Sequence, residues 1–243
     1  MTQAISSFST GTQALQRGYR MVFRKGLRRY TLLPIIINVV LFIIGIGWAG
    51  HSFDDLLARM IPDGWDWLSW LLWPLFAIIV LLVSAYTFTF LANLIGSPFN
   101  AQLARAVVRL ETGQSPPTSN LGLIGGIGAA VTGELRKWAY FLVLALAVFL
   151  ISLLPVINVA AVVLWPLLSC WIMALEYGDY PMGEYDKGFT DQRAWWRGHR
   201  SLALGFGGAT ALFSLIPIIN LVVMPAAVCG ATLLWLEQEQ SKA

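Results

Sequence analysis

The residues whose types and spacing best suit chemistry are Gly26, Leu27, Arg28 and Arg29, just ahead of the first long apolar block. Glycine lets a backbone come close to a ligand, and arginine offers a planar fork of N–H donors matched to oxyanions. A helix beginning near Leu27 would add free backbone N–H groups, those of Gly26 and Leu27, and a dipole that favours negative charge. Together these groups could hold a tetrahedral dianion. The same residues also fit plain juxtamembrane cations. A second pattern is Tyr86, Thr89, Asn93, Ser97 and Asn100, whose intervals of three and four put them on one helical face. Such a stripe suits a wetted conduction path, and polar packing between helices produces the same spacing.

No catalytic set accompanies them. His51 and His199 read as solvated surface residues. The acids Glu176, Asp179, Glu184, Asp186 and Asp191 have no metal-ligand spacing and read as a solvated loop paired with nearby Arg and Lys. Cys170 and Cys229 lie inside apolar blocks and read as small buried side chains. The glycine-rich run 122–133 lacks the Gly-Lys-Ser/Thr ending of a phosphate loop, so close helix packing or a hinge is expected there. An enzyme, a metal centre, a cofactor and a nucleic-acid partner are therefore not expected.

The elements that must position these residues are membrane helices. Hydrophobic residues make up 57% of the chain and charged ones 12%, about half the charge of a soluble domain. Residues 30–49, 68–96, 138–175 and 202–236 contain no Asp, Glu, Lys, Arg or His, and each exceeds the length of a span candidate. The leader 1–29 carries Arg17, Arg20, Arg24, Lys25, Arg28 and Arg29 with no acid, and no cleavable signal is expected in it. The 50–67 segment carries four aspartates against Arg59. The positive-inside rule then puts both termini in the cytoplasm and the 50–67 loop outside, with Trp65, Trp67, Trp70 and Trp73 as an interface belt. Every Lys and Arg except Arg59 falls on the inner side.

Residues 30–49 and 68–96 read as full spans. The 138–175 block would reach about 57 Å as one helix, so it must fold back, and Leu154-Pro155-Val156-Ile157-Asn158 supplies the break. Ile216-Pro217-Ile218-Ile219-Asn220 repeats the device 62 residues later. Arms of about 15–17 residues and uncharged tips favour two hairpins that penetrate the bilayer partway, with four short complete spans as the rival. The fold class is an all-α integral membrane protein: two long transmembrane helices, two Pro/Asn-broken hairpins (138–175 and 202–236) and an amphipathic N-terminal helix. That helix, begun by a capping box at Thr10-Gly11-Thr12-Gln13 and ended near Gly26, is expected to lie on the anionic leaflet. Ser97-Pro98 reads as the start of a cytoplasmic helix that stops at Gly113, within a 97–137 helix-and-loop segment; 176–201 reads as a cytoplasmic loop.

The chain resembles the CysZ family of bacterial inner-membrane sulfate permeases over about residues 8–238. The likeness rests on Gly26-Leu27-Arg28-Arg29 with Leu33-Pro34 and Asn38, Leu71-Leu72-Trp73-Pro74-Leu75, Pro98-Phe99-Asn100, Tyr177-Gly178-Asp179-Tyr180-Pro181, and residues 225–232. It implies sulfate uptake across the inner membrane without an ATPase, feeding cysteine synthesis, and a homo-oligomer whose hairpins stop partway through the bilayer. It also implies sulfate binding by Gly26, Leu27, Arg28 and Arg29. One departure is Arg105, near which relatives carry an acid. Another is the 122–133 stretch, looser than the corresponding helix. Inward movement of sulfate against an inside-negative potential costs about 2.3 kcal/mol per charge per 100 mV. No ionisable relay lies in the apolar blocks, so a passive route would depend on a concentration gradient and proton coupling on acids outside them. The alternative reading is a scaffold or regulatory subunit that uses its basic face to hold lipid or a partner.

Overall fold

The computed structural model describes residues 2–60, 66–117 and 123–240, and every regular element among them is helical. In chain order these are α1 (Thr2–Val22), α2 (Arg28–Met60), α3 (Asp66–Thr112), α4 (Leu123–Leu153), a 3₁₀ turn (Ile157–Ala160), α5 (Ala161–Gly183), α6 (Phe189–Gly198), α7 (Arg200–Ser214) and α8 (Pro217–Gln240). Three stretches among the described residues are long and apolar enough to cross a membrane: Arg28–Phe53, Val131–Leu153 and Ile157–Gly183. On α3 the stretch Trp70–Val83 is apolar as well. Much of the expected 68–96 span falls on α3 residues whose side chains lie outside those described.

The chain forms two compact units, residues 32–99 and residues 1–31 with 100–243. In the smaller unit the Phe53 ring of α2 stacks on Phe76 of α3 at 3.9 Å, and Trp73 meets both edge-on. Most other apolar side chains there are bare, Ile43 at 68% and Leu81 at 69% exposure, a surface that hydrocarbon rather than water would cover. α2 has 33 residues and α3 has 47, about 50 Å and 70 Å at 1.5 Å per residue. Two expectations are corrected here. Residues 50–60 continue α2 instead of forming an outer loop, and Ser97-Pro98 lies inside α3 rather than starting a helix. Pro34, Pro74 and Pro98 are all helix-internal; each removes one donor, which long helices in an apolar medium tolerate. α3 does stop before Gly113, at φ +72°. Trp65 lies outside the described residues, as does the side chain of Trp67, while Trp70 is 81% exposed.

In the larger unit α1 packs on α7 and α8, and α5 packs on the same pair. Glycines make the contact backbone to backbone. A Cβ on Gly18 would fall on the Ala226 carbonyl, one on Gly11 on the Leu202 carbonyl, and one on Gly205 on the Phe8 carbonyl. Close approach of this kind is what helix association uses where lipid removes the hydrophobic drive. Leu15 and Val22 of α1 are buried with Phe206, Val228 and Leu234. The apolar face of α1 therefore meets α7 and α8. Arg17 is paired with Glu237 of α8, and Tyr19 donates to the Ile219 carbonyl at 3.4 Å. The Thr10–Gln13 capping box is absent because α1 has already begun at Thr2; Thr10 and Thr12 bond the carbonyls of Ser6 and Ser9 within the helix.

The two chain breaks are built alike. Asn158 N–H donates to the Leu154 carbonyl at 2.9 Å, and Asn220 N–H to the Ile216 carbonyl at 2.8 Å. The Ser152 hydroxyl bonds the Val148 carbonyl and the Ser214 hydroxyl the Thr210 carbonyl, both at 2.8 Å. The sequence repeat is thus a repeat of hydrogen bonds. At the first break Val156 turns with φ +73°; at the second Pro217 takes the first position of α8. α4 and α5 run antiparallel: Trp165 donates to the Ser152 hydroxyl at 3.3 Å and Trp171 to the Tyr140 hydroxyl at 3.1 Å. Their 31 and 23 residues are longer than the arms expected. The 176–201 stretch is not a loop, since α5 continues to Gly183 and α6 follows. The glycine-rich run is helical from Leu123, and a Cβ on Gly128 or Gly133 would meet nothing within 4 Å.

The glycine seam gives a direct test. Gly18→Ala should destabilise by about 1–3 kcal/mol through overpacking, seen as a lower Tm in detergent. Gly47→Ala, with nothing within 4 Å, should hold or raise Tm because alanine is the better helix former by about 0.5–1 kcal/mol. Equal responses would contradict the seam.

Candidate anion site

α1 stops at Val22, where Arg24 N–H turns back to the Met21 carbonyl at 3.0 Å. Gly26 follows at φ +92°, a left-handed conformation that side-chain-bearing residues avoid. The N–H groups of Leu27 and Arg28 both bond the Arg24 carbonyl, at 3.1 and 3.3 Å, and Tyr30 N–H bonds the Leu27 carbonyl at 3.0 Å. The Leu27 side chain, 3% exposed, sinks into the core and pins the turn. Gly26, Arg28 and Arg29 remain on the surface. α2 starts at Arg28, one residue beyond the start expected.

The Arg29 guanidinium donates to the Tyr30 hydroxyl at 2.8 Å and lies 4.8 Å from that ring's centroid. This holds the fork on an aromatic face. Arg28 and Arg29 have no carboxylate partner among the described residues, whereas neighbouring Arg24 pairs with Glu111 at 3.5 Å. One expectation changes: the Leu27 N–H is spent on Arg24 and cannot serve an anion. Among the described residues the donors left are the Arg28 fork, the rest of the Arg29 fork and the Gly26 amide, on a turn that carries net positive charge.

The polar stripe lies on one unbroken helix, as its spacing requires. Asn100 is 3% exposed, and its Nδ2 has no hydrogen-bond partner among the described residues, a costly arrangement unless something polar visits it. Ser97 is exposed. Tyr86, Thr89 and Asn93 sit on α3, with side chains outside those described. His199 is not a plain surface residue. It joins α6 to α7, with Nδ1 2.8 Å from the Trp195 carbonyl and its ring 4.4 Å from that indole.

Of the 176–191 acids, Glu176, Asp179 and Glu184 pair with Lys and Arg as expected, in two charged constellations whose partners sequence reasoning did not name. Lys137, nearly buried, contacts Glu134 at 2.8 Å, Asp179 at 3.0 Å and Glu176 at 3.4 Å, while Gln192 of α6 donates to Asp179 at 2.7 Å. The break near Pro155 brings these residues opposite one another, and the pairs Glu134/Lys137 and Glu176/Asp179 at helical spacing were the available signal. The second is Arg105, paired with Glu184 at the end of α5. Burial pushes the Glu184 carboxyl above the ordinary range, although Arg105 draws it back down.

A family model described as "Sulfate transporter CysZ/Etoposide-induced protein 2.4" matches residues 14–225. The chain belongs to this family. It is 41% identical over 239 residues to the protein named Sulfate transporter CysZ of Pseudomonas paraeruginosa (strain PA7), covering 96% of this chain and 97% of that one. Its identity to the protein of the same name from Pseudomonas fluorescens (strain Pf0-1) is 42% over 234 residues, with 94% of each covered. For that of Pectobacterium atrosepticum it is 37% over 234 residues, covering 94% of this chain and 85% of that one. The matched region of this CysZ-family chain contains both the 26–29 turn and the whole of α3.

Amide exchange tests the revised donor set. The Gly26 N–H should exchange at least about tenfold faster than the bonded Leu27 N–H beside it, read by mass spectrometry at residue resolution. Equal protection would mean that the turn offers no free amide.

Proposed function

We propose that this chain is a sulfate permease of the inner membrane, not an enzyme, and that Arg28, Arg29 and the Gly26 amide receive the anion. The observation that carries this reading is a pair of arginine forks, exposed and without carboxylates among the described residues, beside a glycine in a left-handed turn. A dianion there is met by charge-assisted hydrogen bonds from two directions. Leu27 serves by its side chain, as the peg that keeps the turn shaped. The polar stripe of α3, from Tyr86 through Thr89, Asn93 and Ser97 to Asn100, helps to conduct the ion; the buried, unsatisfied Asn100 amide supports that role.

In this reading α2 and α3 are the full spans. The first hairpin is limited by the Lys137 cluster, which leaves only 138–153 and its return free of charge, about 24 Å per arm at 1.5 Å per residue. α7 has 15 residues, about 22 Å by the same rise. These charge-free stretches fall short of the roughly 30 Å hydrocarbon core, which favours hairpins that enter partway, although the whole helices of the first hairpin and α8 are long enough to cross. Both termini are cytoplasmic, the surrounding partner is the lipid bilayer, and the working unit is a homo-oligomer. Flux depends on a gradient maintained by consumption of sulfate inside, supplying cysteine synthesis.

Purified protein in liposomes should take up radiolabelled sulfate, and Arg28→Ala with Arg29→Ala should lower both binding and uptake by at least about 100-fold, equivalent to about 2.7 kcal/mol. Unchanged flux in a folded double mutant would remove the site assignment. No flux from the unaltered protein would favour the scaffold reading.

A further inference from the structure

Thr31 lies in the first turn of α2, three residues past Arg28, so the Cβ atoms of the two stand about 5–6 Å apart along one side of the helix. Arg28 is exposed, whereas Thr31 is 3% exposed and its hydroxyl has no hydrogen-bond partner among the described residues. A threonine on a helix commonly meets this need by bonding the carbonyl four residues back. Thr10, Thr112, Thr132, Thr210 and Thr232 all do so, at 2.7–2.8 Å. The carbonyl four residues behind Thr31 is that of Leu27, which takes the Tyr30 N–H at 3.0 Å, and the Thr31 hydroxyl makes no bond to it. A buried hydroxyl without a partner is costly, and a valine would fill nearly the same space without that cost. The charges beside it along the chain are all positive, Arg24, Lys25, Arg28 and Arg29, and the first acid of the chain is Asp54.

We infer that Thr31 is a further contact for the anion, its hydroxyl donating to an oxyanion oxygen one turn beyond the arginine forks. This rests on the sulfate-permease reading above. The forks meet the ion at the surface, and the next donor along α2 lies on the buried side of the helix. The contact forms during passage, since the hydroxyl is closed to the surface at rest. A hydroxyl with no internal partner gives up no protein hydrogen bond when it turns to an anion, so its donation counts in full. The positive charges one turn away set the sign of the guest.

Radiolabelled sulfate uptake by proteoliposomes, read beside Tm in detergent, tests this with Thr31→Val, which removes the donor, and Thr31→Ser, which keeps it. Thr31→Val should lower uptake at least about tenfold, the smaller effect expected of a hydrogen bond to a charged group. It should also hold or raise Tm, because an unpaired buried hydroxyl is gone. Thr31→Ser should transport well ahead of Thr31→Val although it fills less space. A packing role for Thr31 gives the reverse order, with valine at or above serine, and that order would overturn the inference even where one variant folds poorly. Undiminished uptake in Thr31→Val beside lost uptake in Arg28→Ala with Arg29→Ala would overturn the Thr31 contact alone. No flux from the unaltered chain would remove the permease reading and this contact with it.

Discussion

The larger unit depends on the seating of α1 against α7 and α8 through glycine. Gly11 and Gly18 on one side and Gly205 and Gly230 on the other let carbonyls approach where any Cβ would collide. Between apolar helices in lipid, burying leucine against leucine brings little preference over leucine against hydrocarbon, so association relies on close van der Waals contact. The Arg17–Glu237 pair and the bond from Tyr19 to Ile219 fix the register that the glycines permit. With α1 seated, Met21 and Val22 are buried, and the chain leaves at Arg24 in a defined direction. The Gly26 turn and its arginines inherit their position from that contact.

The charges follow the same economy. The apolar blocks hold none, and the ionised groups gather at their edges in pairs and clusters: Lys137 with three carboxylates, Arg105 with Glu184, Arg24 with Glu111. Burying an isolated charge is costly, and pairing offsets that cost where helices converge. Arg28 and Arg29, by contrast with Arg24 close by, have no carboxylate partner among the described residues. A site that answered its own cations with carboxylates would have little left for a dianion.

Much of this was legible in the sequence, and the failures have identifiable causes. The apolar blocks gave the membrane helices, and Pro155 and Pro217 gave the breaks, because backbone donors lost in an apolar medium leave few choices. The 62-residue repeat reappears as matched bonds at Ser152 and Ser214 and at Asn158 and Asn220. Prolines misled at position 98, where a local rule for helix starts lost to a 47-residue helix that carries Pro74 as well. The amphipathic pattern of α1 was read correctly as a one-sided apolar face, but periodicity does not say whether lipid or protein covers it. At the site, glycine and arginine types could be read directly. The occupation of the Leu27 amide could not, since it depends on where the Arg24 carbonyl points.

The central claim is that a tetrahedral dianion rests on the turn between α1 and α2. Selenate, a heavier analogue of sulfate, makes the most direct test through anomalous scattering from crystals of the protein grown with it. The account predicts a selenium peak within hydrogen-bonding reach of the Arg28 and Arg29 guanidinium groups and the Gly26 N–H. A peak confined to other basic residues, with those two forks turned away from any anion, would contradict it.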